Sequence, residues 1–148
     1  MHTDDSEISD LADLILTIAR KITAHEIDDE SFVPLSNLEA VVMRCIDRHP
    51  GIGPSEIASE LGLRSGNMSA ALRALDAKGL ILRSPDPDDR RAVRVFPTPK
   101  AAVNIEMLRA GWIRTLAPVI PPDADLTSVV AVLEQIDARF HAGGKQPS

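Results

Sequence analysis

The sequence contains few of the residues on which disulfide, metal and aromatic-ligand chemistry depend. Its 148 residues include one cysteine, four histidines, no tyrosine and 3% aromatic side chains. The single cysteine, Cys45, cannot form a disulfide within the chain, and the scattered histidines do not form a cluster with zinc-ligand spacing. We therefore expect no structural disulfide, no bound metal and no cofactor.

Long apolar runs and a secretory leader are also missing. No apolar stretch approaches the ~20 residues that span a bilayer. The first five residues lack the basic and apolar regions of a signal peptide. Because 44% of the residues are apolar and 26% are charged, the composition is typical of a soluble globular protein. The sequence predicts a cytoplasmic protein with no membrane partner.

Arrangements of catalytic residues are equally absent. No Ser/His/Asp, Cys/His or paired-carboxylate pattern stands out along the chain. The acidic cluster at residues 86–89 lies on a predicted hairpin, where a reaction would gain no enclosure from water. We therefore expect that the protein is not an enzyme.

The net charge of −6, taken by itself, disfavours a nucleic-acid partner, because DNA binding requires neutralisation of phosphates. However, the charge is unevenly distributed. Residues 64–100 contain eight basic and four acidic side chains, a net charge of +4, so the rest of the chain carries −10. A basic middle between acidic ends is consistent with a DNA-binding face, although a solvated charged surface explains it equally well on charge alone.

Two stretches in the first third of the chain have apolar residues at the three-and-four spacing of amphipathic helices. The first covers roughly residues 7–25. The second begins at Ser36, whose spacing to Glu39 predicts a reciprocal capping box. It ends near Arg48, before the helix-breaking residues 49–51.

Two shorter helices joined by a glycine turn are predicted next. Pro54 is favourable in the first turn of a helix, and Gly62 ends that helix. Ser65 can cap the following helix, and Gly79 stands where a left-handed residue ends it. A β-hairpin follows, with strands at 80–82 and 93–96.

Short helix, turn, second helix and hairpin is the order of a winged helix-turn-helix. From Leu35 to Ala101 the residues resemble the MarR family of transcription regulators. Residues 65–80 resemble the family's recognition helix, Asp86 to Arg91 its wing signature, and Thr98 the threonine that starts its next helix. The resemblance implies a mainly α-helical winged fold and double-stranded DNA as the partner.

The first turns of a recognition helix present side chains to base edges in the major groove. Asn67 has the chemistry to read adenine, and Arg73 to read guanine or to bind a phosphate. The alternative is that Asn67 and Ser69 only cap the helix. The DNA-binding candidates on this helix are Ser65, Gly66, Asn67, Ser69, Ala70 and Arg73.

The tip of the hairpin combines acidic and basic residues. Asp89 can pair with Arg91 and brace the wing, which leaves Arg90 to enter the minor groove, where narrow A·T tracts attract arginine. The resemblance likewise implies that one of these two arginines braces the wing and the other contacts DNA. A solvated charged loop is the structural alternative.

The chain departs from the family pattern at three positions. Ala70 replaces a common long basic residue, Gly66 a common hydroxyl residue and Ala101 a usual glycine. The operator sequence therefore cannot be carried over from the family. Cys45 lies on an apolar helix face, where a thiol is usually inert. Neither His25 nor His49 is assigned as a ligand.

The flanking segments complete the expected organisation. Thr98 and Pro99 open a long helix that ends at the prolines from Pro118, and a last helix starts at Asp125 or Thr127. We expect an N-terminal dimerisation helix at 1–34, a winged helix-turn-helix at 35–98 and C-terminal dimerisation helices at 99–148.

By its resemblance, the chain is expected to regulate transcription as a homodimer on a pseudo-palindromic operator. Repression is the expected direction, with release by a small anionic or phenolic effector. The alternative is a winged-helix interaction module that binds a partner protein instead of DNA. The net acidity and Ala70 are consistent with that alternative.

Overall fold

A computed structural model describes residues 4–143, which form six α-helices and one two-stranded antiparallel sheet. This mainly helical architecture with a hairpin confirms the predicted fold class. None of the described helices is long and apolar enough to cross a membrane. The elements are α1 (Asp5–Thr23), α2 (Asn37–Arg48), α3 (Pro54–Leu61), α4 (Ser65–Ala77), β1 (Ile81–Pro85), β2 (Val93–Pro97), α5 (Pro99–Leu116), a 3₁₀ turn (Ala117–Val119) and α6 (Leu126–Gly143).

The described residues divide into two compact units. The first contains α1, the loop that follows it as far as Phe32, and Met107–Ile120. The second contains Val33–Glu106 and the segment from Pro121 onwards. Of the predicted C-terminal segment 99–148, residues 144–148 lie outside the described part of the chain.

The apolar core lies in the second unit, where α2, α3, α4 and the hairpin meet. α2 and α4 pack closely on each other, because each helix has an apolar stripe. The buried apolar residues are Val42, Met43, Cys45, Ile46, Ile52, Ile57, Met68, Ala71, Leu72, Leu75, Leu80, Ile81, Val95, Ala101 and Ile105.

Helix starts differ from the sequence prediction at two places. The Glu39 amide donates to Ser36 Oγ at 3.1 Å, but the Glu39 carboxylate is paired with Lys78. Only half of the predicted capping box therefore forms at α2. Ser65 is the first residue of α4 and does not cap it, because the N-cap is Arg64, whose side chain makes no capping bond.

The hairpin is joined to the helical core through a third backbone segment that the sequence did not reveal. β1 and β2 pair with Arg83 opposite Val95, and Val95 also forms a bridge to Ile52. The Gly51 amide donates to the Val95 carbonyl at 2.8 Å, and the Val95 amide donates to the Ile52 carbonyl at 3.0 Å. The root of the wing is thereby fixed to the loop between α2 and α3.

One buried polar side chain joins α5 to the segment before α2. Asn104 is 2% exposed. Its Oδ1 accepts from the Val33 amide at 2.7 Å, and its Nδ2 donates to the Val33 carbonyl at 3.1 Å. Both polar groups of the amide are therefore satisfied, as a buried side chain requires. Periodicity arguments assign apolar faces only, so they did not identify this residue.

We predict that Cys45 is a structural thiol. Its side chain is 1% exposed, and burial, followed by the neighbouring Glu60, raises the pKa of the thiol to about 12. The reactive thiolate is therefore scarce near neutral pH. Thiol-reactive dye should label the native protein far more slowly than the unfolded chain, measured by absorbance.

Cys45→Ser provides the companion test, because it replaces a thiol that packs as an apolar group with a more polar hydroxyl, which should lower the free energy of unfolding by on the order of 1–3 kcal/mol. Chemical denaturation of the variant measures that loss. Rapid dye labelling of the folded protein, or loss of an oxidant response in a stable Cys45→Ser variant, would contradict the structural assignment.

Candidate nucleic-acid interface

The helix-turn-helix consists of α3 and α4 with a tight turn between them. Gly62 ends α3 in the left-handed conformation, at φ 63°, which disfavours a residue with a Cβ atom. α4 then packs through Met68, Leu72 and Leu75, which are all buried. Because these residues define the inner face, the remaining face of α4 is left to solvent.

The sequence-predicted candidates lie on this outer face. Ser65, Gly66, Asn67, Ser69, Ala70 and Arg73 are all exposed. The side chains of Asn67 and Ser69 make no capping bond to α4, so the capping alternative is not observed. Within the residues whose side chains are described, the side-chain polar atoms of Asn67, Ser69 and Arg73 have no protein partner.

The two ends of α4 differ in how their backbone groups are satisfied. At the start, the first amides receive no side-chain cap, so they and the positive end of the helix dipole face solvent. At the end, Gly79 has φ 72°. The Gly79 amide donates to the Asp76 carbonyl and the Leu80 amide to the Leu75 carbonyl. This pattern closes the C-terminal turn in the manner of a Schellman motif.

The loop between β1 and β2 is shaped by its own aspartates. Asp86 Oδ1 accepts from the Asp88 amide at 3.0 Å, and Asp89 Oδ1 accepts from the Arg91 amide at 3.0 Å. Asp89 therefore contacts Arg91 through the backbone, in place of the expected pair with its guanidinium. Side chains of aspartate commonly stabilise turns in this way.

The ion pair that braces the wing joins Asp86 and Arg94 at 3.2 Å. Arg94 stands opposite Ser84 in the sheet, which brings its side chain within reach of the loop. The hydrogen bond from the Asp88 amide, with Arg94 as a further cause, lowers the pKa of Asp86. Sequence reasoning missed Arg94, although its place on the return strand beside an acidic loop was a usable signal.

The basic residues between 64 and 100 fall into two groups. In one group, Lys78 is paired with Glu39, Arg83 with Asp76 at 3.8 Å and Arg94 with Asp86. The other group has no ion pair within residues 4–140, and its members are exposed. This second group comprises Arg64, Arg73, Arg90 and Arg91, which are available for an external anion, and Lys100, whose ammonium group donates to the Lys78 carbonyl at 2.9 Å.

The remaining titratable candidates do not form a second site. His49 Nε2 lies 3.4 Å from Glu60 Oε1, and His25 Nδ1 lies 3.4 Å from the Lys21 carbonyl of its own helix. Across the described residues, no group of three or more His, Cys, Asp or Glu side chains is arranged to hold a metal ion.

The first unit contains a surface cavity of about 400 Å³. Three carboxylates lie at its border, against a single arginine. Its other lining residues are apolar. The lining residues are Glu26, Ile27, Asp28, Asp29, Met107, Ala110 and Arg114.

Known proteins share sequence and structural features with this winged geometry. Residues 35–93, which contain the helix-turn-helix and most of the wing, match the model of the MarR family. These residues make up less than half of the chain, and over them the chain is similar to the MarR family. No curated protein matches the sequence.

Solved structures of MarR-type regulators share the fold along nearly the whole chain. The transcriptional regulator SlyA is 16% identical with a TM-score of 0.72, and the match covers 92% of this chain and 97% of that one. A MarR protein from Peptoclostridium difficile is 20% identical with a TM-score of 0.72, covering 97% and 94%. The PcaV regulator from Streptomyces coelicolor, solved with its natural ligand, is 19% identical with a TM-score of 0.64, covering 94% and 97%.

We predict that Arg94→Met loosens the wing without disturbing α4. The substitution keeps an apolar stem and removes the cation that holds Asp86, so the amides of Asp86 and Ala92, which close the loop, should exchange hydrogen faster. Arg90→Met is the matched control, because Arg90 has no protein partner within residues 4–140. Equal exchange in the two variants would contradict the brace.

The same brace has a defined pH dependence. The pKa of Asp86 is below its ordinary value of 3.8 in the folded protein, so the carboxylate's stabilisation is complete above that value and is lost as the pH falls through the folded pKa. Asp86 should therefore stay ionised between about pH 5 and pH 8. We expect the protection of the wing amides in the wild-type protein, corrected for the intrinsic pH dependence of hydrogen exchange, to be constant over that range.

Proposed function

We propose that the protein is a sequence-specific regulator of transcription that binds double-stranded DNA as a homodimer and represses its target promoters. The observation that carries this proposal is the exposed outer face of α4, whose polar atoms lack protein partners and which stands in the same unit as the unpaired Arg90 and Arg91 of the wing. These are the two elements with which a winged helix-turn-helix contacts a duplex.

The outer face of α4 is suited to close approach to base edges. Gly66, Ser69 and Ala70 have short side chains, so they hold the helix away from the groove floor less than long residues do. Asn67 and Arg73 are the two side chains with the reach and donor geometry to read adenine and guanine. The uncapped amides at the start of α4 add a phosphate-binding end that orients the helix in the groove.

The wing supplies a contact of a different kind. Arg90 and Arg91 are exposed at the loop, and the Asp86–Arg94 pair holds that loop in shape without using the side chain of either. Both are therefore available to the minor groove, where a narrow A·T tract concentrates negative potential. In this proposal Asp89 braces the loop through the Arg91 amide, and the Arg91 guanidinium is left for DNA.

Homodimerisation is supported by the apolar surface that the single chain leaves uncovered. α1 buries none of its 19 residues. As a result, a large group of its apolar side chains is exposed, and α6 exposes a second group of apolar side chains. Apolar patches of this extent commonly mark a protein interface. The exposed apolar residues of the two helices are Ile8, Leu11, Leu14, Ile15, Leu16, Ile18, Leu126, Val129, Val130, Val132, Leu133 and Phe140.

A two-fold dimer would present two copies of α4 to half-sites about one helical turn apart, which makes the operator pseudo-palindromic. Release by a small molecule extends the proposal, and PcaV was solved with a natural ligand. In this chain the cavity of the first unit has Arg114 as its only lining cation against three carboxylates. A neutral phenolic effector therefore suits that cavity better than an anionic one.

We predict that Ile15→Asp converts the dimer to monomer. Ile15 is 41% exposed in the single chain, so an aspartate there is tolerated by the monomer but is buried without a partner in the dimer. Sedimentation should show the dimer dissociation constant rising by about tenfold or more. Thr17→Asp is the charge-matched control on a polar position of α1. A wild-type chain that is monomeric at micromolar concentration would refute this part of the proposal.

We predict that Arg90→Ala and Arg73→Ala weaken DNA binding in different ways. Arg90→Ala removes a cation from the wing, so it should lower affinity for all duplexes and flatten the salt dependence by roughly one counterion. Arg73→Ala should cost about 1–3 kcal/mol at one position in each half-site if it reads a base. Fluorescence anisotropy with matched and mismatched duplexes over a salt series measures both effects.

Arg91→Ala is expected to act like Arg90→Ala, because the wing keeps its brace. Arg48→Ala is the control for lost charge, since Arg48 lies at the end of α2 and its Nε donates to the Arg44 carbonyl at 3.4 Å. If substitution of all three candidate arginines leaves specific binding unchanged, the DNA-binding proposal fails. The alternative interaction module would then be the better account.

A further inference from the structure

The C-terminal end of α4 is held by a lysine whose ammonium group is already occupied. Lys78 Nζ donates to the Pro34 carbonyl at 2.9 Å and to the carboxylate of Glu39. Pro34 lies just before α2, and Glu39 lies in its first turn. The Lys78 side chain is 32% exposed and that of Glu39 is 15% exposed. The pair therefore ties the end of α4 to the start of α2 in a partly desolvated setting.

The backbone at the same point is also held by residues at the start of α5. Lys100 Nζ donates to the Lys78 carbonyl at 2.9 Å, and Thr98 Oγ1 donates to the Gly79 carbonyl at 2.8 Å. Carbonyl groups at a helix C-terminus lack partners within the helix, and cations there are favoured by the helix dipole. Residues of α2 and α5 thus both contact Lys78, the residue that caps the end of α4.

These polar contacts can fix the tilt of α4, which its apolar face cannot do. Burial of Leu72 and Leu75 holds α4 against the core, but hydrophobic contact is non-directional and permits small rotations. Asn67 lies 11 residues before Lys78, about 16 Å along the helix. A tilt of about 10° at Lys78 would move Asn67 by about 3 Å, which exceeds the tolerance of a hydrogen bond to a base.

We propose that Lys78 and Glu39 are positioning residues for base recognition, which act by fixing the angle at which α4 enters the major groove. This inference rests on the proposed function and assigns to Lys78 a role without phosphate contact. It also explains why the Glu39 carboxylate is used in a long-range pair and not in the local capping box that the sequence predicted.

The test uses the full-length chain with an operator selected from random duplexes by the wild-type protein. Lys78→Met keeps the stem and removes the ammonium group, and Glu39→Gln removes its partner's charge. Affinity for the operator and for a singly mismatched duplex is measured by fluorescence anisotropy over a salt series. All variants are compared at a temperature at which circular dichroism shows each to be folded.

We expect both variants to lower the ratio of matched to mismatched affinity by about tenfold, on the order of one lost base contact. The salt slope of Lys78→Met should equal that of the wild type, because no phosphate contact is removed. Arg48→Met and Glu30→Gln, which alter exposed charges away from the pair, should leave the ratio unchanged.

Glu39→Gln distinguishes most clearly between positioning and a purely electrostatic effect of Glu39. If Glu39 acted only through its charge, its removal would strengthen binding to every duplex, because DNA is an anion. Positioning predicts weaker binding to the operator instead, and this variant decides the question even if Lys78→Met does not fold.

An unchanged ratio in Glu39→Gln, or a flattened salt slope with an unchanged ratio in Lys78→Met, would overturn the inference while leaving DNA binding itself intact. A wild-type protein that selects no duplex would overturn the proposed function and this inference together.

Discussion

The burial of one face of α4 against α2 and α3 is the constraint on which the candidate interface depends. Met68, Leu72 and Leu75 are almost completely buried, and Leu75 is followed by the glycine-closed turn that starts the hairpin. Once this face is committed to the core, helical geometry leaves Asn67, Ser69 and Arg73 on the outside. The same packing leads the chain into β1, so the position of the wing is linked to that of the helix.

The polar contacts of the second unit add direction to this apolar packing. The bridge between Ile52 and Val95 holds the root of the wing, and Asn104 joins α5 to the backbone of Val33. Each contact is individually modest in energy, since a typical hydrogen bond contributes about 1 kcal/mol net to stability. Their combined effect is to define the relative angles of elements whose apolar contacts alone would permit sliding.

The charged side chains of this chain fall into two kinds that the net charge does not distinguish. In the basic middle segment, Arg83 and Arg94 are engaged with neighbouring aspartates, whereas Arg73 and Arg90 are not, within residues 4–140. A count of charges treats all four alike. Only the pairing in the folded chain separates cations that shape the protein from cations that are available to an external anion, in this proposal the phosphates and grooves of DNA.

Patterns over ten or more residues predicted the fold well, because helical periodicity, Pro54, Gly62 and Gly79 are local signals with direct physical causes. The six helices and the hairpin were all expected from the sequence. The choice of partner for each polar side chain was less predictable. Glu39 was expected to cap its own helix and instead pairs with Lys78, 39 residues away, because tertiary packing brings a stronger partner within reach.

In the wing, too, the partner of a polar side chain was not predictable from the local sequence. Asp86 and Arg94 pair across the hairpin register, and that register cannot be read from the loop residues alone. The identity of the exposed residues on α4 was predictable, since it depends only on which face is apolar. What those residues bind depends on the partner and is not encoded in periodicity.

The most direct test of the account is to follow the backbone amides of the full-length chain by NMR during titration with its selected operator duplex. The account predicts that the large chemical-shift changes cluster in the first two turns of α4, near Asn67, and in the wing loop at residues 86–92. It predicts small changes along the apolar faces of α1 and α6, which the proposed dimer would bury. Shifts confined to those two helices, with α4 and the wing unchanged, would contradict it.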